Sequence, residues 1–160
     1  MTQPGPTSRQ TQLRQSWMRT LAMASRPALE RAWAHWAPQP AVELIRGPQA
    51  GLVMVRSRID AGGARFNLGE ATVTRATVRL HGGPLSADSV GSAYVLGADL
   101  EHARLAAIFD GLLADEGQHD RAMANVVVPL QLAQTQRDAA RRAEARTTQV
   151  DFFTVAREHE

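Results

Sequence analysis

The chain has 160 residues, a hydrophobic fraction of 44% and a formal net charge of +2. That length fits one domain with a real core, and that composition excludes wholesale disorder. There is no cysteine and every one of the 18 basic residues is arginine, which excludes disulfides, thiol nucleophiles, thiolate-held iron–sulfur clusters, a P-loop lysine and a Schiff base.

Residues 1–9, rich in Pro, Gly, Thr and Ser, read as a flexible tail ahead of a single domain over residues 10–160. Leu13, Trp17 and Leu21 recur every four residues and predict a helix from Gln10 to Ala24. A break at Ser25-Arg26-Pro27 precedes a second helix, Pro27 to Ala37, with Leu29, Trp33 and Trp36 on its apolar face. Pro38 and Pro40 end it. The pair makes a helical hairpin that carries all three tryptophans.

The period then shortens. Ala41–Arg46 and Leu52–Ile59 predict two strands separated by a turn at Gly47-Pro48-Gln49-Ala50-Gly51, and Asp60-Ala61-Gly62-Gly63 turns the chain again. Phe66–Leu80 is one long strand, or two broken near Gly69. Ser89–Leu96 is the last. Short connections between consecutive strands predict an antiparallel meander. Helical period returns after Asp99, a predicted N-cap, with Leu105, Ile108, Phe109, Leu112 and Leu113 on one buried stripe. Asp120–Val128 predicts a short helix, and Pro129 opens a polar segment to Thr147. The chain closes on an apolar arm, Val150 to Arg157. The fold class is α+β: helical hairpin, meander, then C-terminal helices with an extended arm.

No catalytic motif survives inspection. His35, His81, His102, His119 and His159 form neither HxH nor HExxH, so no metal site is predicted. Gly91-Ser92-Ala93 lacks the second glycine of a nucleophile elbow. The pI near 10.3 reflects a small arginine excess rather than a strongly basic surface. No apolar run approaches a bilayer span, and the N-terminus has no signal-peptide core, so the expected location is cytoplasmic, with no membrane partner.

Arginine and aromatic residues are the remaining candidates. Arg56 and Arg58 share one side of their strand, as do Arg75 and Arg79 on theirs. Two readings stay open: a solvated outer face, or an arginine-rich sheet face that takes an anion, nucleic acid or an acidic partner. Trp17, Trp33 and Trp36 read as core, or as docking residues, since tryptophan is a favoured interface anchor. Phe152 and Phe153 in the closing arm are candidates for docking on another chain, or for pairing with the chain's own sheet.

Five blocks resemble the PhnG family in order along nearly the whole chain. They are Arg14-Gln15-Ser16-Trp17-Met18; Glu43 to Val53; Arg65 to Arg75 with Val78-Arg79-Leu80; Tyr94-Val95-Leu96-Gly97 with Asp99, His102 and Ala103; and Val150 to Arg157. Ala98 departs from the arginine usual in that family, and the loop Gly83–Gly91 is longer than typical. The resemblance implies a non-catalytic subunit of the carbon–phosphorus lyase core complex. Its implied partners are PhnH, PhnI and PhnJ, with a functional link to PhnL. With PhnH, PhnI and PhnL it implies transfer of the ribose triphosphate of ATP to a phosphonate such as methylphosphonate, releasing adenine. PhnJ then cleaves the carbon–phosphorus bond on an iron–sulfur cluster. ATP and phosphonate are thus substrates of the complex. No cofactor bound by this chain, no independent activity and no nucleic-acid partner are expected. The alternative is a stand-alone anion- or nucleic-acid-binding module using Arg56, Arg58, Arg75 and Arg79.

Overall fold

The computed structural model describes residues 6–59 and 62–147. Helix α1 spans Pro6–Ala22 and α2 spans Arg26–Ala34. Three antiparallel strands follow in the order β1 (Ala41–Arg58), β2 (Arg65–His81), β3 (Ser89–Leu96). Helices α3 (Leu100–Ala114), α4 (Glu116–Ala122) and α5 (Val128–Thr147) follow the sheet, with a π-helical turn at Met123–Val127 joining the last two. The α+β class and the meander are as expected.

The differences have physical reasons. Helix α1 starts at Pro6 rather than Gln10, because a proline in a first turn has no hydrogen-bonded N–H to lose. Gly47 and Pro48 do not turn the chain. β1 runs through them as one strand with register shifts between Leu44 and Arg46 and between Arg46 and Gln49. β1 is an edge strand, where bulges and a proline are tolerated. The polar segment after Pro129 is a long helix that buries Leu130 alone. It is tied to α1 by polar contacts: Gln134 Nε2 donates to Thr20 O (2.8 Å) and Gln131 Nε2 to Thr20 Oγ1 (3.4 Å). The closing arm with Phe152 and Phe153 lies outside the described residues.

The core lies between one face of the sheet and α3. Thr74, Ala76, Val78 and Leu80 of β2 are buried, as are Gly91, Ala93 and Val95 of β3. Against them α3 buries almost every residue from His102 to Leu113. At Gly91 the two layers nearly touch: a Cβ there would lie 1.9 Å from Ala107 O and 2.4 Å from Gly111 N. Asp99 caps α3 by accepting from His102 N–H (3.0 Å). The His102 ring reaches the C-terminal end of α1, with Nε2 2.9 Å from Leu21 O.

Candidate functional site

The tryptophans face inward. Trp36 is buried and meets Phe109 edge to face at 5.9 Å, and Trp33 meets the same ring at 6.2 Å. The Arg121 guanidinium stacks 4.3 Å above the Trp36 ring while donating to Ala37 O (2.8 Å). Trp17 donates its indole N–H to Asp110 Oδ1 (2.9 Å) and stands edge-on to His119 at 5.5 Å.

Asp110, which sequence reasoning missed, is the polar centre of this packing. Its carboxylate is fully buried. Besides the Trp17 indole it accepts from Arg14 Nη2 (2.6 Å), Arg14 Nε (3.2 Å) and the Ser92 backbone N–H (2.9 Å). One carboxylate thus joins α1, α3 and β3. Its hydrogen bond raises the already high pKa of Arg14, against the opposing effect of burial. The signal was an acidic residue set between Phe109 and Gly111 in the most apolar helix: a charge there must be paired. A second carboxylate, Asp115, is buried after α3. Burial opposes its ionisation, but hydrogen bonds from the Ser86 hydroxyl and from the Ala87 and Ser86 amides outweigh that and hold its pKa below the ordinary value.

A hollow of about 590 Å³ beside α1 is lined by Leu13, Arg14, Trp17, Glu116, His119 and Asp120. Its Arg14 is already engaged by Asp110, and His119 Nδ1 lies 2.7 Å from Leu113 O. Among the described residues, no group of three His, Asp or Glu side chains could hold a metal, and no helix is long and apolar enough to cross a membrane.

The four candidate arginines do not form one face. Arg75 and Arg79 lie opposite to the buried row Thr74, Ala76, Val78, Leu80, and so on the open face of the sheet. Arg79 pairs there with Glu43 (3.1 Å), and Arg75 reaches Gln49 Oε1 (3.5 Å). Leu52 sits opposite Thr72 in register, and alternation along β1 carries Met54, Arg56 and Arg58 to the other face. The open face also presents Val90, Tyr94 and Leu96 to solvent.

A further feature emerges from the register. β3 pairs with β2 only over Val73–Leu80. There the chain turns away at Gly97, whose φ of +101° suits glycine, with Gly97 N–H donating to Thr72 O (2.8 Å) and Thr74 Oγ1 to Gly97 O (2.7 Å). Beyond that point β1 and β2 continue alone as a two-stranded ribbon, Leu52–Arg58 against Arg65–Thr72. Not one residue of these two segments is buried. Leu52, Val53, Met54, Val55, Phe66 and Leu68 are all solvent-exposed.

The blocks that carried the resemblance occupy these features. Arg14 and Trp17 hold Asp110, Arg65–Arg75 builds the ribbon and its root, and Tyr94–Gly97 ends β3. The chain matches the family model described as "Phosphonate metabolism protein PhnG" over residues 12–158. It is 45% identical over 145 residues to the alpha-D-ribose 1-methylphosphonate 5-triphosphate synthase subunit PhnG of Rhizobium meliloti (strain 1021), covering 90% of this chain and 88% of that protein.

Proposed function

The chain belongs to the PhnG family, and from that premise we propose that it is a non-catalytic subunit of a ribose 1-methylphosphonate 5-triphosphate synthase in organic phosphonate catabolism. The observation that carries this reading is 45% identity across most of both chains to a protein named as a subunit of that synthase. The substrates are those of the complex: the ribose triphosphate of ATP passes to methylphosphonate and adenine leaves. PhnH, PhnI and PhnJ are the core partners, PhnL is the functional link, and the site of action is the cytoplasm. This chain contributes shape. Its polar interior is spent on architecture, as the Arg14–Asp110–Trp17 anchor illustrates, and among the described residues Leu52, Met54 and Leu68 stand exposed on the ribbon.

The test is adenine release from ATP and methylphosphonate by PhnH, PhnI and PhnL from the same organism, with and without this chain. Release is expected only when the chain is present, and none from the chain alone. Equal release without it defeats the subunit reading. Turnover by the isolated chain defeats the non-catalytic one.

A further inference from the structure

Helix α5 is buried at one end only. Leu130, in its first turn, is its one buried residue, and from Gln131 to Thr147 no residue is buried. Its ties to α1 are polar. Gln134 Nε2 donates to Thr20 O (2.8 Å), Gln131 Nε2 to Thr20 Oγ1 (3.4 Å) and Arg137 Nη2 to Met23 O (3.4 Å). The last two are long for hydrogen bonds. A hollow of about 370 Å³ lies between the helices, lined by Ser16, Arg19, Thr20, Gln131, Gln134 and Asp138, where the ridges of packed helices would interlock. Lifting α5 away opens this flank to water and strands no polar group. The Thr20 hydroxyl keeps Ser16 O (3.2 Å). The Thr20 and Met23 carbonyls, at the C-terminal end of α1, exchange a side-chain donor for water at small net cost.

The helix does not need α1 in order to stay helical. At 20 residues it exceeds the roughly 12–15 that an isolated helix requires. From Leu130 to Arg146 it is built mostly of Ala, Gln, Arg and Leu, with no Gly or Pro, and Asp138 precedes Arg142 at i,i+4. Its buried end has the features of a pivot. Met123–Val127 is a π-helical turn, and Pro129 follows within two residues. π-helical turns and prolines are the places where helices bend, because each interrupts the regular ladder of backbone bonds. Val126 and Val127 are buried and fix the turn to the body. The bend is thus anchored on its inner side and unburied on its outer side.

We propose that α5 is a hinged arm with two states. In one it is seated on the C-terminal turn of α1. In the other, residues 131–147 swing off α1 as an intact helix about 25 Å long, pivoting on the segment Met123–Pro129. The device belongs to the lone chain and does not rest on the subunit reading.

The chain has no cysteine, so pairs of introduced cysteines place spin labels cleanly in the full-length protein, and pulsed dipolar EPR reads the distance between them. Gln12→Cys/Ala140→Cys spans α1 and the arm. Gln12→Cys/Arg31→Cys reports the body, and Ala133→Cys/Arg146→Cys reports the arm itself, with about 20 Å between backbone positions in an intact helix. All these positions are exposed. The first pair is expected to give two separate distances, the minor one at a share on the order of 10%, and each of the other pairs one. Gln131→Ala/Gln134→Ala/Arg137→Ala should raise the released share at least threefold and leave the melting point near that of the wild type. A single narrow distance for the first pair in the wild type overturns the proposal, wherever it lies. So does a broad distribution for Ala133→Cys/Arg146→Cys, since the segment then melts rather than swings. An unchanged distribution in the triple variant overturns it too, since those ties then do not hold the seated state. Should the triple variant melt early, Gln134→Ala alone removes the shortest tie and must shift the distribution in the same direction.

Discussion

β2 passes through two environments without a break. From Thr74 to Leu80 it lies between β1 and β3 and under α3, with alternate residues buried. From Arg65 to Thr72 it pairs with β1 on one side, and among the described residues no third strand and no helix covers it. The near half is amphipathic and is satisfied by the chain itself. The far half, with its partner segment of β1, exposes apolar side chains on both faces, Leu52 on one and Val53 on the other, and nothing among the described residues buries them. Both halves carry strand-forming residues: Thr74, Thr77 and Val78 in the near one, and Phe66 and Thr72, with Val53 and Val55 across the ladder, in the far one. What differs is the third layer, so strand formation and strand burial are separate properties here.

The sharpest way to break that contrast is to disturb the near half where its layers touch. Gly91→Ala puts a methyl group against the backbone of α3, which cannot swing aside as a side chain would. Overpacking of well-filled cores costs about 1–3 kcal/mol and sometimes more, and the approach to Ala107 O places this variant at the upper end. Chemical denaturation should show a large drop in midpoint, or the variant should fail to fold. Gly51→Ala, which meets nothing in the ribbon root, should leave stability within about 0.5 kcal/mol of wild type. Equal effects at the two glycines would dissolve the distinction between the halves.

Next in size is the Asp110 anchor. Asp110→Ala strands the Trp17 and Ser92 N–H donors and removes the buried partner of Arg14. Breaking a buried pair costs about 3–5 kcal/mol, but Arg14 remains 43% exposed and keeps part of its hydration, so about 2–3 kcal/mol is expected here. Arg14→Ala should cost somewhat less, because Trp17 and Ser92 still serve the carboxylate. The double variant should fall short of the sum of the two, as a shared network requires. Additive losses would mean that Arg14 and Asp110 act independently.

How these features could be read in advance differed from region to region. The stripe from Leu105 to Leu113 and the Asp99 cap were legible, because a 3.6-residue period and a capping side chain are local signals. The meander was legible from its short turns. Gly47-Pro48 was not, since the same dipeptide serves a turn or an edge bulge and only the neighbouring strand decides. Asp110 was hidden because period analysis counts apolar positions and passes over a lone charge between them. The helix after Pro129 was under-read for a related reason. Its fastening is polar, through Gln131 and Gln134 to Thr20, and the preceding π-helical turn loosens the backbone where the proline offers no N–H. The arginines defeated face assignment because alternation fixes a face only relative to a register, and the register of β1 against β2 is not written in either strand alone.

A smaller effect comes from Asp115 in the near half. Its folded pKa lies below the ordinary value of 3.8 because hydrogen bonds to the charged form outweigh burial. The stability it contributes is therefore present above the unfolded value and is lost as pH falls through the folded one. Melting temperature should decline between about pH 5 and about pH 3, and less steeply in Asp115→Asn. Identical slopes would show that the Asp115 carboxylate does not titrate with folding.

The smallest effect on stability, and the one that most sharpens the contrast, belongs to the ribbon. Leu52→Ser/Leu68→Ser removes two apolar side chains that are 65% and 64% exposed, so unfolding free energy should change by no more than about 0.5 kcal/mol. Hydrogen exchange on the lone chain separates the halves without mutation. Amides of Ala76, Val78 and Leu80 should open only with global unfolding, and those of Val53 and Val55 by fraying of the ribbon at far lower cost. Ribbon amides already as slow as the core in the lone chain would mean that the two strands need no third layer.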